Sequence, residues 1–180
     1  MPVQIGAKSS NFSDPTGLMS DCHRRIEMFL NALKTAATFY GRKLTDDERR
    51  GLESALRYFR EAAPKHNADE EESLFPRLRR TQNKEVEFAL AEVARLENEH
   101  RWAAPLHDQV DLLGRKWLLE GELSAGDAKS LHNAIAQLDA MYRAHIDYED
   151  RVLFPLAARV LPPPELQQVA YEMAKRRNLI

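Results

Sequence analysis

One eleven-residue pattern occurs twice in the chain, as His66-Asn67-Ala68-Asp69-Glu70-Glu71-Glu72-Ser73-Leu74-Phe75-Pro76 and as His145-Ile146-Asp147-Tyr148-Glu149-Asp150-Arg151-Val152-Leu153-Phe154-Pro155. Both read His-x-x-x-Glu-acid-x-x-Leu-Phe-Pro. On a helix, a histidine and a carboxylate four residues apart lie one turn above each other, separated by about 6 Å of rise and about 40° of rotation. Each copy can therefore offer two donors to one metal centre. A chain carrying two such pairs is constrained to a fold in which two helix faces meet across a common interior.

The rest of the sequence supports that fold. Glycines number only seven, and the long stretches without Gly or Pro are rich in Ala, Leu, Glu and Arg, which are good helix formers. The chain is predicted to be all-α. Its 180 residues, 43% of them hydrophobic, suffice for one domain with a substantial core. Charges of 26 basic against 28 acidic residues nearly cancel, so no net field points to nucleic acid or to an anionic membrane. No apolar run approaches the roughly 20 residues that span a bilayer. Residues Met1 to Gly6 lack the features of a secretory signal. The single cysteine, Cys22, excludes an internal disulfide and suits a reducing compartment, so a cytoplasmic location is expected.

Apolar periodicity divides the chain into a polar leader (1–17), a bundle (18–160) and a C-terminal helix packed on it (161–180). The first helix carries Met19, Ile26, Leu30, Leu33 and Ala37 and stops at Gly41. Thr45 caps a second helix reaching about Leu78, with a kink at Pro64. A third is predicted from about Lys84 to Glu120, interrupted by Pro105 and ended by Gly121. Ser124 caps a fourth, closed by Pro162-Pro163-Pro164. A fifth covers about Glu165 to Arg177, with Leu166, Val169 and Met173 facing inward. Short loops favour an up-down antiparallel four-helix bundle plus one short helix.

Extending each apolar stripe shows which polar residues occupy interior positions. His23 lies three before Ile26 and seven before Leu30, and His100 lies four after Leu96 and three before Ala103. With His66, Glu70, His145 and Glu149, four helices thus send four histidines and two carboxylates into one interior. Buried carboxylates without a cation are costly and mutually repulsive, and a metal supplies the missing charge. The nitrogen and oxygen donor set suits two non-haem iron ions, with manganese and zinc as alternatives. Symmetry pairs His23 with His66 and His100 with His145, with Glu70 and Glu149 as bridges.

Neighbouring residues were weighed in the same way. His132 points away from the interior. His107 returns to nearly the face of His100, but about 10.5 Å further along, so it is a buried polar or outer partner unless Pro105 bends it into ligation. Tyr142 fills the core or donates a hydrogen bond to a bound ligand. Glu27 and Glu97 are expected in boundary salt bridges, and Cys22 in packing. Asp69, Glu71 and Asp150 are expected to be mostly solvated, with the alternative of orienting ligand imidazoles.

These residues resemble the hemerythrin-like family with the HHE cation-binding domain. The resemblance runs from about Met19 to Arg177 and rests on Cys22-His23-Arg24-Arg25-Ile26-Glu27, both Leu-Phe-Pro repeats, Glu99-His100 and Glu172-Met173-Ala174-Lys175-Arg176-Arg177. It implies a four-helix bundle holding a carboxylate-bridged di-iron centre that senses or handles O2, peroxide or NO. Oxygen carriers of the family add a histidine four after the third-helix one, where this chain has Ala104, and use His-x-x-x-x-Asp on the fourth helix. Here both Glu149 and Asp150 are available, and the offset matching Glu70 favours Glu149 as the bridge. Two alternatives to sensing are a catalase-like enzyme decomposing hydrogen peroxide and an iron-responsive interaction module. The sequence identifies no protein partner and no oligomeric state.

Overall fold

The computed structural model describes residues 11–180, and most of the predicted leader lies outside that range. Helix α1 spans Pro15–Ala37. The Asp14 side chain accepts from the Gly17 N–H at 2.9 Å, and Pro15 occupies the first turn, where its missing N–H has no intrahelical partner to lose. Pro15-Thr16-Gly17, expected to end the leader, therefore starts the first helix.

Helix α2, Asp46–Glu61, opens with a reciprocal capping box between Thr45 and Glu48. It breaks at Ala62, and Pro64 sits in the first turn of α3, Ala63–Ala68, as the predicted kink. From there the helix changes type. Asp69–Leu74 forms a π-helical segment, π1, before α4 covers Phe75–Arg80. The second copy of the motif behaves identically, with α6, Ala125–Tyr148, passing through π2, Glu149–Leu153, into α7, Phe154–Val160. In both segments the amide donates five residues back, Phe75 to the Glu70 carbonyl and Phe154 to the Glu149 carbonyl.

Each widened turn ends two residues before the proline of the Leu-Phe-Pro tail. Pro76 and Pro155 have no N–H, and an ordinary turn would press each ring against the carbonyl four residues earlier. A π-turn accommodates one extra residue and sets the following chain back by about 100°. Phe75 and Phe154 lie nine residues after their histidines, about 180° away on a regular helix, yet both are buried.

Helix α5 runs without a break over Lys84–Glu120, from the Asn83 cap to Gly121, whose φ of 85° provides the left-handed C-cap. The predicted interruption at Pro105 does not occur. Pro105 and Arg101 lie on the exposed face, while Ala103 and Val110 hold the opposite face in the core. Helix α8, Pro163–Arg176, starts just after Pro162 and buries Val169 and Met173.

The packing order places α1 between α2 and α6, and α5 between the same two helices. This is the expected all-α bundle. Its apolar interior is divided in two. One cluster includes Ile26, Leu56, Phe59, Ala103, Leu138 and Tyr142, and the other includes Met19, Leu74, Phe75, Leu96, Leu153 and Phe154. On each of the four helices, the polar interior residues fall between a member of one cluster and a member of the other.

Two glycines test this packing in opposite directions. A Cβ at exposed Gly51 meets nothing within 4 Å, so Gly51→Ala should stabilise by about 0.5–1 kcal/mol through helix propensity alone. A Cβ at Gly114 would approach both δ-methyls of buried Leu56 at 2.7 Å. Gly114→Ala should therefore destabilise by about 1 kcal/mol net, read as a lower denaturant midpoint.

Candidate metal centre

The layer between the two apolar clusters contains His23 from α1, His66 from α3, Glu70 from π1, His100 from α5, His145 from α6 and Glu149 from π2. All six are buried. His23, His66, Glu70 and Glu149 offer ligand atoms within 4.8 Å of one another, and Glu70, His100 and His145 form a second such group. Glu70 spans the two, with Oε1 3.1 Å from His66 Nε2 and Oε2 3.5 Å from His100 Nε2. Glu149 Oε2 lies 3.1 Å from His23 Nε2 and 3.2 Å from His145 Nε2. The histidines paired from the sequence and the two carboxylates expected to bridge them are thus brought together in space.

Three imidazoles are held from behind. Asp150 Oδ1 lies 2.8 Å from His23 Nδ1, Glu71 Oε1 2.7 Å from His100 Nδ1, and Glu99 Oε2 2.8 Å from His145 Nδ1. A carboxylate only accepts, so each Nδ1 carries a proton and each Nε2 is turned towards the centre, where it can present a lone pair once deprotonated. His66 is the exception, with a buried Nδ1 that has no partner. The expectation that Asp150 and Glu71 are mostly solvated is corrected. Asp150 also accepts from Ser20 and Arg24, which fixes it over His23.

The inner atoms lack protein partners of their own. His23 Nε2 and all four carboxylate oxygens of Glu70 and Glu149 are buried without a hydrogen bond. His100 Nε2 and His145 Nε2 stand 3.1 Å apart, within hydrogen-bond distance when one of the two carries a proton. Burial, reinforced by the charge of Glu149, pushes the Glu70 carboxyl up to about 8. Burial disfavours the charged form of His145, but Glu149 and Glu99 outweigh it and raise the imidazole to about 9. Burial lowers His66 well below the ordinary histidine range. Without a metal, protons must therefore stand in for the cation. Carboxylate oxygens and imidazole nitrogens converging in this way fit a bound metal ion, which would satisfy these atoms together.

Asp69 departs furthest from expectation. Predicted to be mostly solvated, it is fully buried beside Glu70 and accepts from Arg176 and, at 2.5 Å, from Arg177 Nη2. Arg176 also reaches Glu72 and the Ser73 hydroxyl. Arg77 extends the clamp, donating to Glu165 and Glu172 of α8 and to the Ser73 carbonyl. The C-terminal helix is thus fastened to the segment that carries Glu70.

A cavity of about 340 Å³ reaches His100 from the surface. His107 and Tyr142 line it, and His107 Nε2 lies 2.9 Å from the Tyr142 hydroxyl, so the structure pairs them with each other outside both ligand groups. Ala104 also lies on its wall. Glu97 pairs with Arg79 as expected at the boundary, and Cys22 is buried, its thiol raised by burial. Glu99 was missed as an orienting group. It reaches across to a histidine on another helix, a contact that no spacing within one helix reports.

A four-helix bundle with a buried histidine and carboxylate layer defines a cation-binding bundle. The chain matches the Hemerythrin HHE cation binding domain over residues 14–173, nearly its whole length, and belongs to that family. No curated protein matches it.

Asp150→Asn keeps the shape but weakens the hold on His23, and metal affinity should fall about 10–100-fold in a chelator competition. Asp69→Ala leaves Arg176 and Arg177 without their buried partner. It should lower unfolding free energy by about 2–3 kcal/mol in a denaturant titration.

Proposed function

We propose that His23, His66, Glu70, His100, His145 and Glu149 hold two non-haem iron ions bridged by the two carboxylates, and that the protein senses or handles O2, peroxide or NO in the cytoplasm. The observation carrying this reading is the pair of buried carboxylates whose four oxygens accept no hydrogen bond and face imidazole nitrogens. Two carboxylates among four imidazoles bring two negative charges, which two divalent ions would more than offset. Iron held by these residues would supply one-electron chemistry.

The chain's own residues make the two halves unequal. The cavity wall includes His100 but neither His23 nor His66, so the His100 and His145 side is the one that adjoins open space. A small molecule is expected on that side. Ala104 supplies no nitrogen there, which argues against the donor set of an oxygen carrier. A second reading, a metal-responsive module, is favoured by the Asp69 clamp, which joins the Glu70 segment to α8.

Anaerobic iron reconstitution followed by optical spectra on adding O2, peroxide or NO tests the first reading. Two irons per chain and a spectral change with at least one of them are expected. His66→Ala and Glu149→Ala should each lose the two-iron stoichiometry, and two irons retained would refute the ligand assignment. For the second reading, iron removal should speed amide hydrogen exchange in α8. Unchanged exchange there would reject it.

A further inference from the structure

The cavity beside His100 is larger than a diatomic ligand requires and lies at the lower end of the range for small-molecule sites. Its walls are mainly apolar, with Leu56, Phe59, Ala63 and Ala104 among them. The charged residues on its wall include Arg60 and Asp111, which pair with each other at 2.9 Å. That arrangement leaves Arg60 a poor counter-charge for an anion.

Polar groups in the lining are incompletely used. Asn67 Oδ1 and His107 Nδ1 are both buried and have no partner. Burial holds the His107 imidazole down to about 4, so the ring is neutral at pH 7, with one N–H and one lone pair. If Tyr142 donates to Nε2, His107 keeps a spare N–H at Nδ1. If Nε2–H donates to Tyr142, Nδ1 is a spare acceptor and the tyrosine hydroxyl hydrogen is free. Either way, the pair and Asn67 together leave at least one donor and one acceptor beside the cavity. The His107 ring is fixed by stacking on Phe59, with centroids 4.9 Å apart.

We propose that this cavity binds a neutral molecule with a compact apolar body and a hydroxyl or hydroperoxyl head, seated with its head beside His107 and Asn67 on the His100 side of the metal centre. Such a head both donates and accepts one hydrogen bond, matching the groups left free. The apolar walls receive the body, and the internal pairing of Arg60 disfavours a carboxylate. This rests on the functional reading above only for its consequence, that the ligand handled includes organic hydroperoxides. Binding itself requires no reaction.

The test uses the full chain loaded with zinc and labelled with nitrogen-15 in its histidines, titrated with tert-butanol as an unreactive probe. Saturable shifts of the His107 ring nitrogens are expected, with none from acetate at the same concentrations. Ala104→Phe adds bulk on the cavity wall, and should weaken tert-butanol binding by about tenfold or more with zinc content unchanged. His107→Phe keeps a ring against Phe59 and removes the polar pair, and should also weaken it. Shifts that grow linearly without saturation, equal shifts from acetate, or undiminished binding in Ala104→Phe would each overturn the proposal. Because iron is absent, failure here is separable from failure of iron reconstitution or of its reaction with gas and peroxide.

Discussion

Two carboxylates, Glu70 and Glu149, meet inside a helical bundle with none of their oxygens accepting a hydrogen bond. That confrontation organises everything around it. Isolated ionised carboxylates are among the costliest groups to bury, and repulsion between two of them adds to the cost. The bundle surrounds them with imidazoles and leaves the remaining charge to a cation. It also interrupts its own apolar core, placing the polar layer between two hydrophobic clusters. Folding and metal uptake are consequently linked, since the interior is electrostatically complete only when the charge is supplied.

The groups that orient the histidines tie the helices to one another. Asp150 of π2 holds His23 of α1, Glu71 of π1 holds His100 of α5, and Glu99 of α5 holds His145 of α6. Each contact fixes a ring and at the same time fixes the axial register of two elements. The Asp69 clamp adds α8 to this set through Arg176 and Arg177. The layer therefore acts as a set of cross-ties between the helices.

Much of this was legible in the sequence, because apolar periodicity reports which face of a helix is buried. Extending the stripes through His23, Glu70, His100 and Glu149 located the polar layer, and caps such as Thr45 and Ser124 marked helix starts. What periodicity could not report was contact across helices. Glu99 and Glu71 reach rings on neighbouring helices. Asp69 looked exposed because its partners lie more than a hundred residues away, on the last helix and just beyond it. Pro105 misled for a different reason. Its ring lies on the exposed face of α5, and the helix runs through it without interruption. The π-turns were hidden because the 100° rule assumes a uniform helix.

Those two turns make helix length and side-chain chemistry partly independent. A π-turn is one residue inserted into an α-helix, so it acts as a phase shifter between the metal ligands upstream and the phenylalanine floor downstream. Removing one residue from Asp69–Leu74 or Glu149–Leu153 would restore a regular helix but withdraw that offset, turning either the carboxylate or the phenylalanine off the interior. The segment can thus absorb changes of side chain on its outer face more readily than a change in length. In this bundle, the count of residues between histidine and proline is itself a structural element.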